Sequence, residues 1–508
     1  MAMLGSLTTY PLFINGRRQE PSIHQYMPVT NPATGHIIGQ VAMGDEVDVD
    51  LAVESAAAAF AKPAWRKMPV AERSTLLYAL GNAVLANARE LAELEVASSG
   101  GTISRIMGMD IPAVADLFFM LAQEVKTFPM VETLSPRPLS EPIHTQVRRE
   151  PVGICGLITA WNFPLLLLAW KLAPALAAGN TVVIKPAELT PTSTFRMVEL
   201  LDELLPAGVL NIVTGLGGTV GEAMIRHPKI DKISFTGSTA VGKHIQKVAA
   251  ESLKRVALEL GGKGPAIVMP DVEIERVAYG VLFAFLLNAG QACESGTRLL
   301  VHEDIHDILL QKMVEVSGQI VIGNPIEPGA SIGPMSSEMH FNKVMSYIES
   351  ARTQGARIVC GGCRVEVPGC EGGYFIGPTI IADATNDMEH VREEIFGPVI
   401  SIIKYKTLEE AIAIANDSSY GLSAGIWAED VVQAQVTAQE LRAGSVWIND
   451  WHMLRNDAPF GGFKQSGYGR EMSKHGLSAY TELKAVSTAF ERVPAKKPGY
   501  HLLHKNFG

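Results

Sequence analysis

Between residues 150 and 260 the sequence alternates, almost without interruption, between short apolar runs and amphipathic stretches. Val152–Ile158 is an apolar run, and Leu165–Ala178 reads as a helix with Pro164 in its first turn. Thr181–Ile184 is a strand, and Pro191–Leu205 a helix with Thr190 as its cap. Leu210–Val213, Lys232–Phe235 and Arg255–Leu258 are further strands, separated by helices at Val220–Ile225 and Thr239–Ser252. Strands buried on both faces and joined by helices predict a parallel, doubly wound sheet. Such a sheet takes its ligand beyond the C-terminal ends of its strands. Trp161-Asn162, Lys185–Glu188, Gly215–Gly218 and Gly237-Ser238 all fall at those ends.

After Gly261-Gly262 a second alternating series begins. Ala266–Val268, Thr297–Val301, Val399–Tyr405 and Ser445–Ile448 read as strands; Ile274–Leu287, Asp304–Ser317, Met339–Gln354 and Thr407–Asn416 read as helices. This predicts a second α/β domain, joined to the first by the short, glycine-rich Glu259–Lys263, so residues at the junction should face an interdomain cleft. Ahead of the first series lie the strand-like pieces Pro11–Asn15 and His36–Val41 and the helical stretches Asp45–Phe60, Val70–Val96 and Pro112–Phe128. Residues 129–142 hold four prolines and no helical period, as expected of a crossing or edge segment.

Composition narrows the class. The chain has 508 residues, 47% hydrophobic and 19% charged, with a formal net charge of −10. Apolar content of this kind excludes a mainly disordered protein. A negative balance without a basic stretch argues against nucleic acid or an anionic membrane as the main partner. The uncharged run Val277–Cys293 spans 17 residues but contains Asn288, Gly290 and Gln291, and a spanning helix needs about 20 apolar residues. The N-terminus has no basic segment before an apolar core, so neither membrane insertion nor secretion is expected. Five cysteines, at 155, 293, 360, 363 and 370, suit a reducing cytoplasm rather than a disulfide framework. Cys360-Gly-Gly-Cys363 with Cys370 has the look of a metal knuckle but lacks completing ligands, so no metal is expected.

Several residues could carry chemistry, and each has an ordinary structural alternative. Lys185 and Glu188, three apart at a strand end, suit a nucleotide ribose, or are a plain ion pair. Cys293, on a turn between helix and strand, is a nucleophile or an inert small hydrophobe. A free thiol has a pKa of about 8.5 and needs a base or a positive dipole to react near neutrality. Glu259 at the junction is a candidate base, or a cap or ion-pair partner. Asn162 could donate to an oxyanion, or stabilise its own turn. The glycines at 215, 217, 218 and 221 approach a dinucleotide fingerprint without matching its spacing.

Eight motifs, read together, decide among these. Pro151-Val-Gly-Ile-Cys-Gly, Trp161-Asn-Phe-Pro164, Lys185-Pro-Ala-Glu188 and Phe235-Thr-Gly-Ser-Thr239 come first. Leu258-Glu-Leu-Gly-Gly-Lys263, Gly290-Gln-Ala-Cys293, Glu394-Ile-Phe-Gly-Pro398 and Pro459-Phe-Gly-Gly-Phe-Lys-Gln-Ser-Gly467 follow. In content and order they resemble the aldehyde dehydrogenase superfamily, over residues 10–490. The resemblance implies a Rossmann-like doubly wound parallel sheet for the cofactor (1–133 and 150–260) and an α/β catalytic domain (261–479). It also implies a small β oligomerisation arm (134–149 and 480–492), with 493–508 as a C-terminal extension.

The resemblance implies NAD-dependent oxidation of an aldehyde to its acid. Cys293 would attack the carbonyl, Asn162 and the Cys293 N–H would hold the oxyanion, and Glu259 would activate water to hydrolyse the thioester. Glu259 favours hydrolysis over transfer to coenzyme A, and Lys171 would belong to the scaffold around Asn162 and Glu259. The implied cofactor residues are Ile158, Thr159, Trp161, Lys185, Glu188, Gly221, Phe235, Gly237, Ser238, Leu260, Glu394 and Phe396. Glu188 favours NAD over NADP, because a 2′-phosphate would meet its charge.

Phe163, Leu166, Trp170, Leu287, Trp451, Leu454 and Phe460 are the expected pocket, or else ordinary core. Their apolar character favours a hydrophobic aliphatic or aromatic aldehyde. Glu294, Asp450 and Asp457, and the segments Ile448–His452 and Gln465–Gly469, keep an aminoaldehyde open, although Glu294 is expected to point away from the tunnel. A homodimer or homotetramer paired through the arm is expected. A rival from another class is a catalytically silent binding protein on the same fold, which retention of Cys293, Asn162 and Glu259 together disfavours.

Overall fold

The structure is a computed structural model and describes residues 8–135 and 143–503. Its first large sheet has a core of five parallel strands in the order Arg255–Glu259, Lys232–Thr236, Ile154–Ile158, Thr181–Lys185, Leu210–Ile212. The three central strands are buried at every residue, as expected of a sheet covered on both faces. The sheet is not purely parallel. Leu12–Ile14 adds antiparallel to one edge, and Gly467-Tyr468 adds antiparallel to the other, beside Glu259. Distant chain thus covers edges that would otherwise offer unpaired backbone.

The helix Pro164–Ala178 is buried along its whole length. Pro164 opens it, and Gly179 closes it at φ 93°, a left-handed position that suits glycine. The expected single helix Val70–Val96 is two, Val70–Ala86 and Ala88–Ser99, because Asn87 leaves helical geometry and its side chain donates to the Ala83 carbonyl at 2.8 Å. The expected Pro112–Phe128 begins earlier, through a π-type turn at Ile106–Asp110. The combined helix Ile103–Thr127 is long and apolar enough to cross a membrane, yet half of its most apolar window is buried inside the fold, against Val70–Ala86 and Pro164–Ala178. The uncharged run 151–170 is longer than the one at 277–293, but it is split into strand, turn and helix.

The second large sheet runs Arg357–Cys360, Thr379–Ala382, Val399–Tyr405, Arg298–His302, Pro265–Val268, Ser423–Trp427, Ser445–Ile448, parallel except for its first strand. Three of these strands are not legible from periodicity. Ser423–Trp427 is short and contains Gly425, where a Cβ would lie 2.1 Å from the Trp451 ring. A third sheet joins Thr481–Ala489, Ile143–Pro151 and Val131–Thr133, antiparallel and mostly exposed. Residues 136–142 of the expected arm, and 504–508 of the tail, lie outside the described residues. Short helical turns at Pro494–Lys496 and Pro498–Leu502 form the described part of the tail.

Candidate active site

The apolar helix Ile274–Leu286 runs into a tight turn at Leu287–Gly290. Asn288 and Ala289 both adopt φ 55°, and Gly290 follows at φ 74°, a conformation that non-glycine residues hold only when their surroundings enforce it. A Cβ on Gly290 would stand 2.1 Å from the Gly397 carbonyl oxygen, so glycine is required by close approach as well as by φ. The turn is pinned to the first sheet. The Asn288 amide donates to the Asn162 carbonyl at 2.8 Å, and the Asn162 amide donates to the Gln291 carbonyl at 3.0 Å. On the far side, the Ser336 N–H donates to the Gln291 side chain at 2.9 Å. Cys293 and Asn162 therefore come together at one cavity of about 1160 Å³.

Five of the seven expected pocket residues line that cavity: Phe163, Leu166, Trp170, Leu287 and Leu454. Trp451 does not. It is fully buried, stacks on Trp427 at 5.7 Å, and donates its indole N–H to the Glu294 carbonyl at 2.8 Å. Phe460 also falls outside, packed behind Trp170 at 5.0 Å between centroids. Both are walls behind the wall. Glu294 corrects the expectation in the other direction. Residues 293 and 294 form a turn, not a strand, so their side chains need not diverge. The Glu294 carboxylate instead accepts from the Cys293 thiol at 3.4 Å and pairs with His452 Nδ1 at 3.0 Å. Asp457 lines the cavity but is tied to Arg455 at 2.6 Å, and Asp450 is exposed.

Glu259 ends its strand buried, with both carboxylate oxygens lacking a hydrogen-bond partner. Burial, then the Glu471 charge, push its carboxyl well above the usual range, while Lys171 and Arg470 pull it down. Gly461 makes room for it, since a Cβ there would meet a Glu259 oxygen at 2.7 Å. Lys171 donates to Thr236 Oγ1 at 2.8 Å and to Glu471, and Thr236 is the strand neighbour of Glu259. The thiol of Cys293 is likewise pushed well up, by burial first and the neighbouring acids Glu294 and Glu394 next.

The expected cofactor residues gather at the strand ends. Ile158 and Lys185 close neighbouring strands, and Glu259 closes the strand on the far side of Lys232–Thr236. The buried Thr159 hydroxyl has no partner. Lys185 Nζ donates to the Pro186 carbonyl at 3.1 Å and to Glu188 at 3.3 Å. Burial lowers the Lys185 pKa, opposed by Glu188. Gly221 has only the Lys185 stem within reach of a Cβ, at 3.8 Å, which leaves an open approach. Ser238 caps the helix Thr239–Ala250, Phe235 packs over Gly237, and Leu260 packs over Gly242. Trp161 meets Phe396 edge-on at 5.3 Å and His340 at 5.0 Å, and His340 Nε2 bonds to the Phe396 carbonyl at 2.6 Å. Glu394 accepts from the Gly262 N–H at 2.9 Å, its carboxyl pushed up to about 7 chiefly by burial.

Sequence reasoning missed His452 as a cavity residue, and with it the helix face bearing Pro112, Asp116, Met120 and Gln123. Their three- and four-residue spacing was a usable signal for that face. Among the described residues no group of three or more His, Cys, Asp or Glu gathers as a metal site, and Cys363 is exposed.

The model of the aldehyde dehydrogenase family matches residues 19–486. DhaS of Bacillus subtilis (strain 168), which carries an aldehyde dehydrogenase name, is 41% identical over 94% of this chain and 95% of its own. A crystal structure of indole-3-acetaldehyde dehydrogenase with NAD+ superposes with a TM-score of 0.92 at 39% identity, covering 95% of this chain and 97% of that one. Betaine aldehyde dehydrogenase of Staphylococcus aureus, also with NAD+, gives 0.92 at 36% identity, with 95% of each chain covered. Sequence and fold agree: the chain belongs to the aldehyde dehydrogenase family.

Proposed function

We propose that this aldehyde dehydrogenase oxidises a hydrophobic aliphatic or aromatic aldehyde to its carboxylic acid with NAD, using Cys293 as nucleophile. The observation that carries the reading is the Asn162 amide tied to the Cys293 turn at the floor of a cavity walled by Phe163, Leu166, Trp170, Leu287 and Leu454. NAD as coenzyme is supported by the NAD+ held in the two related crystals, and the residues here fit it. The orphaned Thr159 hydroxyl, the open backbone at Gly217, Gly218 and Gly221, and the Lys185–Glu188 pair are what a dinucleotide needs at a strand end. Bound there, the nicotinamide would accept the hydride.

The chain's own residues supply the rest. Cys293 Sγ forms a bond to the carbonyl carbon, and the carbonyl oxygen becomes an oxyanion held by the Asn162 amide and the Cys293 N–H. After hydride loss, the thioester is hydrolysed by water. Glu259 takes the water's proton, because its two carboxylate oxygens have no other partner and burial raises its basicity. The exposed apolar residues of the arm strand, Leu483 and Val486, with Phe490 just beyond it, support pairing into a dimer or a dimer of dimers. The division into cofactor domain, catalytic domain and arm is supported by the separate sheets that hold Ile154–Ile158, Pro265–Val268 and Thr481–Ala489, and five free cysteines support a reducing cytoplasmic setting.

An aminoaldehyde is the second reading, favoured by Glu294 facing the cavity. That charge is already engaged by His452, which leaves the apolar wall to dominate selection. The deciding experiment follows NADH absorbance and compares kcat/KM for octanal, benzaldehyde and 4-aminobutanal. Highest values for the first two are expected; preference for the amine overturns the hydrophobic reading. Cys293→Ala should abolish NADH formation, and persistent turnover would remove Cys293 from the mechanism.

A further inference from the structure

The Cys293 thiol makes a hydrogen bond of 3.4 Å to the carboxylate of its own neighbour, Glu294. That carboxylate is held at its other oxygen by His452 Nδ1 at 3.0 Å, and the two side chains are only 6% and 1% exposed. His452 adopts φ 55°, a left-handed position unusual for histidine. Its ring stands edge-on to Phe283 at 5.1 Å, and its carbonyl accepts from the Leu454 N–H at 2.7 Å. The surroundings thus pay to keep the imidazole against Glu294. Both residues line the cavity beside Cys293.

We infer that Glu294 is the proton acceptor for the Cys293 thiol in the attack on the aldehyde, and that His452 is the positioning residue that holds it there. The inference rests on Cys293 being the nucleophile. In the attack step the S–C bond forms, the thiol proton passes to Glu294 Oε2, and the carbonyl π pair becomes the oxyanion. On hydrolysis of the thioester the S–C bond breaks, and the leaving sulfur takes the same proton back from Glu294. Glu259 handles only the water proton. Two carboxylates thus serve two separate transfers, and neither needs a co-reactant beyond the aldehyde, the coenzyme and water.

The electrostatics set the protonation states from which the attack starts: a neutral thiol beside an ionised carboxylate. The thiol lies far above its usual pKa, so little free thiolate exists at neutral pH and attack requires an acceptor in contact. Burial raises Glu294, but the His452 hydrogen bond and charge, its own backbone and the thiol bring it below its usual value, so it is ionised at neutral pH; its 3.4 Å contact with the thiol, rather than its basicity, makes it the acceptor. Glu259 and Glu394 are the other charged groups acting on the thiol. Asp110, Asp116, Glu124, Arg455, Asp457 and Lys474 line the remainder of the cavity.

The test is the pH profile of iodoacetamide alkylation of Cys293 in the full-length enzyme, followed on the Cys293 peptide, together with the NADH burst on rapid mixing. A thiol paired with an intramolecular base shows a shoulder of reactivity between the two pKa values. Glu294→Gln should abolish that shoulder, leave a single rise at high pH, and slow the burst at least about 10²-fold, the scale of general-base catalysis. His452→Phe should move the lower edge of the shoulder to higher pH, because Glu294 loses the donor that holds it ionised. Glu259→Gln should lose steady turnover, because the thioester is no longer hydrolysed, while the NADH burst persists and the lower edge of the shoulder stays in place. An unchanged profile in Glu294→Gln overturns the inference. Faster alkylation at neutral pH also does, since it would mean that the carboxylate only repels the thiolate. If Glu294→Gln does not fold, the shoulder in His452→Phe decides, and its failure to move overturns the inference. Turnover in Cys293→Ala would instead remove the reading on which the inference rests.

Discussion

Lys171 and Glu471, 300 residues apart in sequence, meet as a buried ion pair beside Glu259 and pull its carboxyl in opposite directions. The Lys171 side chain is fully enclosed, and Thr236 Oγ1 accepts a second of its protons. One pair therefore links the helix after the first strand, the end of the fourth parallel strand and the segment that returns to the edge of the sheet. Lys171→Met should leave the Glu471 charge buried and uncompensated, at a cost of about 3–5 kcal/mol. The thermal midpoint at pH 7 checks this, and Lys171→Met with Glu471→Leu should recover much of the loss. A single variant as stable as the parent would show that the pair is not a structural clamp.

Asn162 is buried at the cavity beside Cys293. Its amide now donates to the Gln291 carbonyl at 3.0 Å, and in the transition state the oxyanion would compete for that donor. Asn162→Ala should lower kcat about 10²–10³-fold, as expected for loss of one oxyanion donor, and leave KM within a few-fold. Steady-state kinetics with one good aldehyde checks it. A fall confined to KM would make Asn162 a binding residue only.

The parallel core of the first sheet was legible because short, largely apolar stretches alternate with helix signals, as at Ile154–Ile158 and Thr181–Lys185. Its edges were not. Gly467-Tyr468 has no strand pattern of its own and pairs only because the tertiary fold delivers it to Arg255–Glu259. At the site, the residue types of Cys293, Asn162 and Glu259 were readable from motifs, and so was most of the apolar wall. Which aromatic faces the cavity was not, because Trp170 and Phe460 are both buried rings in contact, and only their packing order puts one in front. Glu294 was misjudged because alternation was assumed across a turn, where it does not hold.

Glu188 stands 3.3 Å from Lys185 Nζ and is about one-third exposed, the pair lying at the strand end where an adenosine ribose would rest. A 2′-phosphate there would meet the carboxylate. Glu188→Ser should therefore raise kcat/KM with NADP about tenfold or more, the effect of about 1.4 kcal/mol of relieved repulsion, while weakening NAD. Parallel titrations with the two coenzymes check it. An unchanged NADP/NAD ratio would remove Glu188 from coenzyme selection.

Glu95 is fully buried beneath the start of the helix Pro164–Ala178, accepting from the Leu165 N–H and from Ser193 Oγ, each at 3.1 Å. Its other oxygen has no partner. Burial, and after it the Asp110 charge, push its pKa up to about 8, against the lowering effect of Arg105. A folded-state pKa above the unfolded one means that the folded protein keeps a proton the unfolded chain gives up. Stability is therefore unaffected by this group in acid, falls as pH rises through the ordinary carboxyl range, and levels off once the folded carboxyl ionises above about 8. Glu95→Gln keeps both acceptor contacts and has no proton to lose. Its thermal midpoint should match the parent near pH 4 and exceed it increasingly toward pH 8, by about 1 °C for each kcal/mol relieved in a chain of this length. Thermal unfolding across that pH range is the measurement. A variant less stable than the parent at pH 8 would mean that the carboxylate is held charged by Arg105, and that the pair, not the proton, supports the helix start.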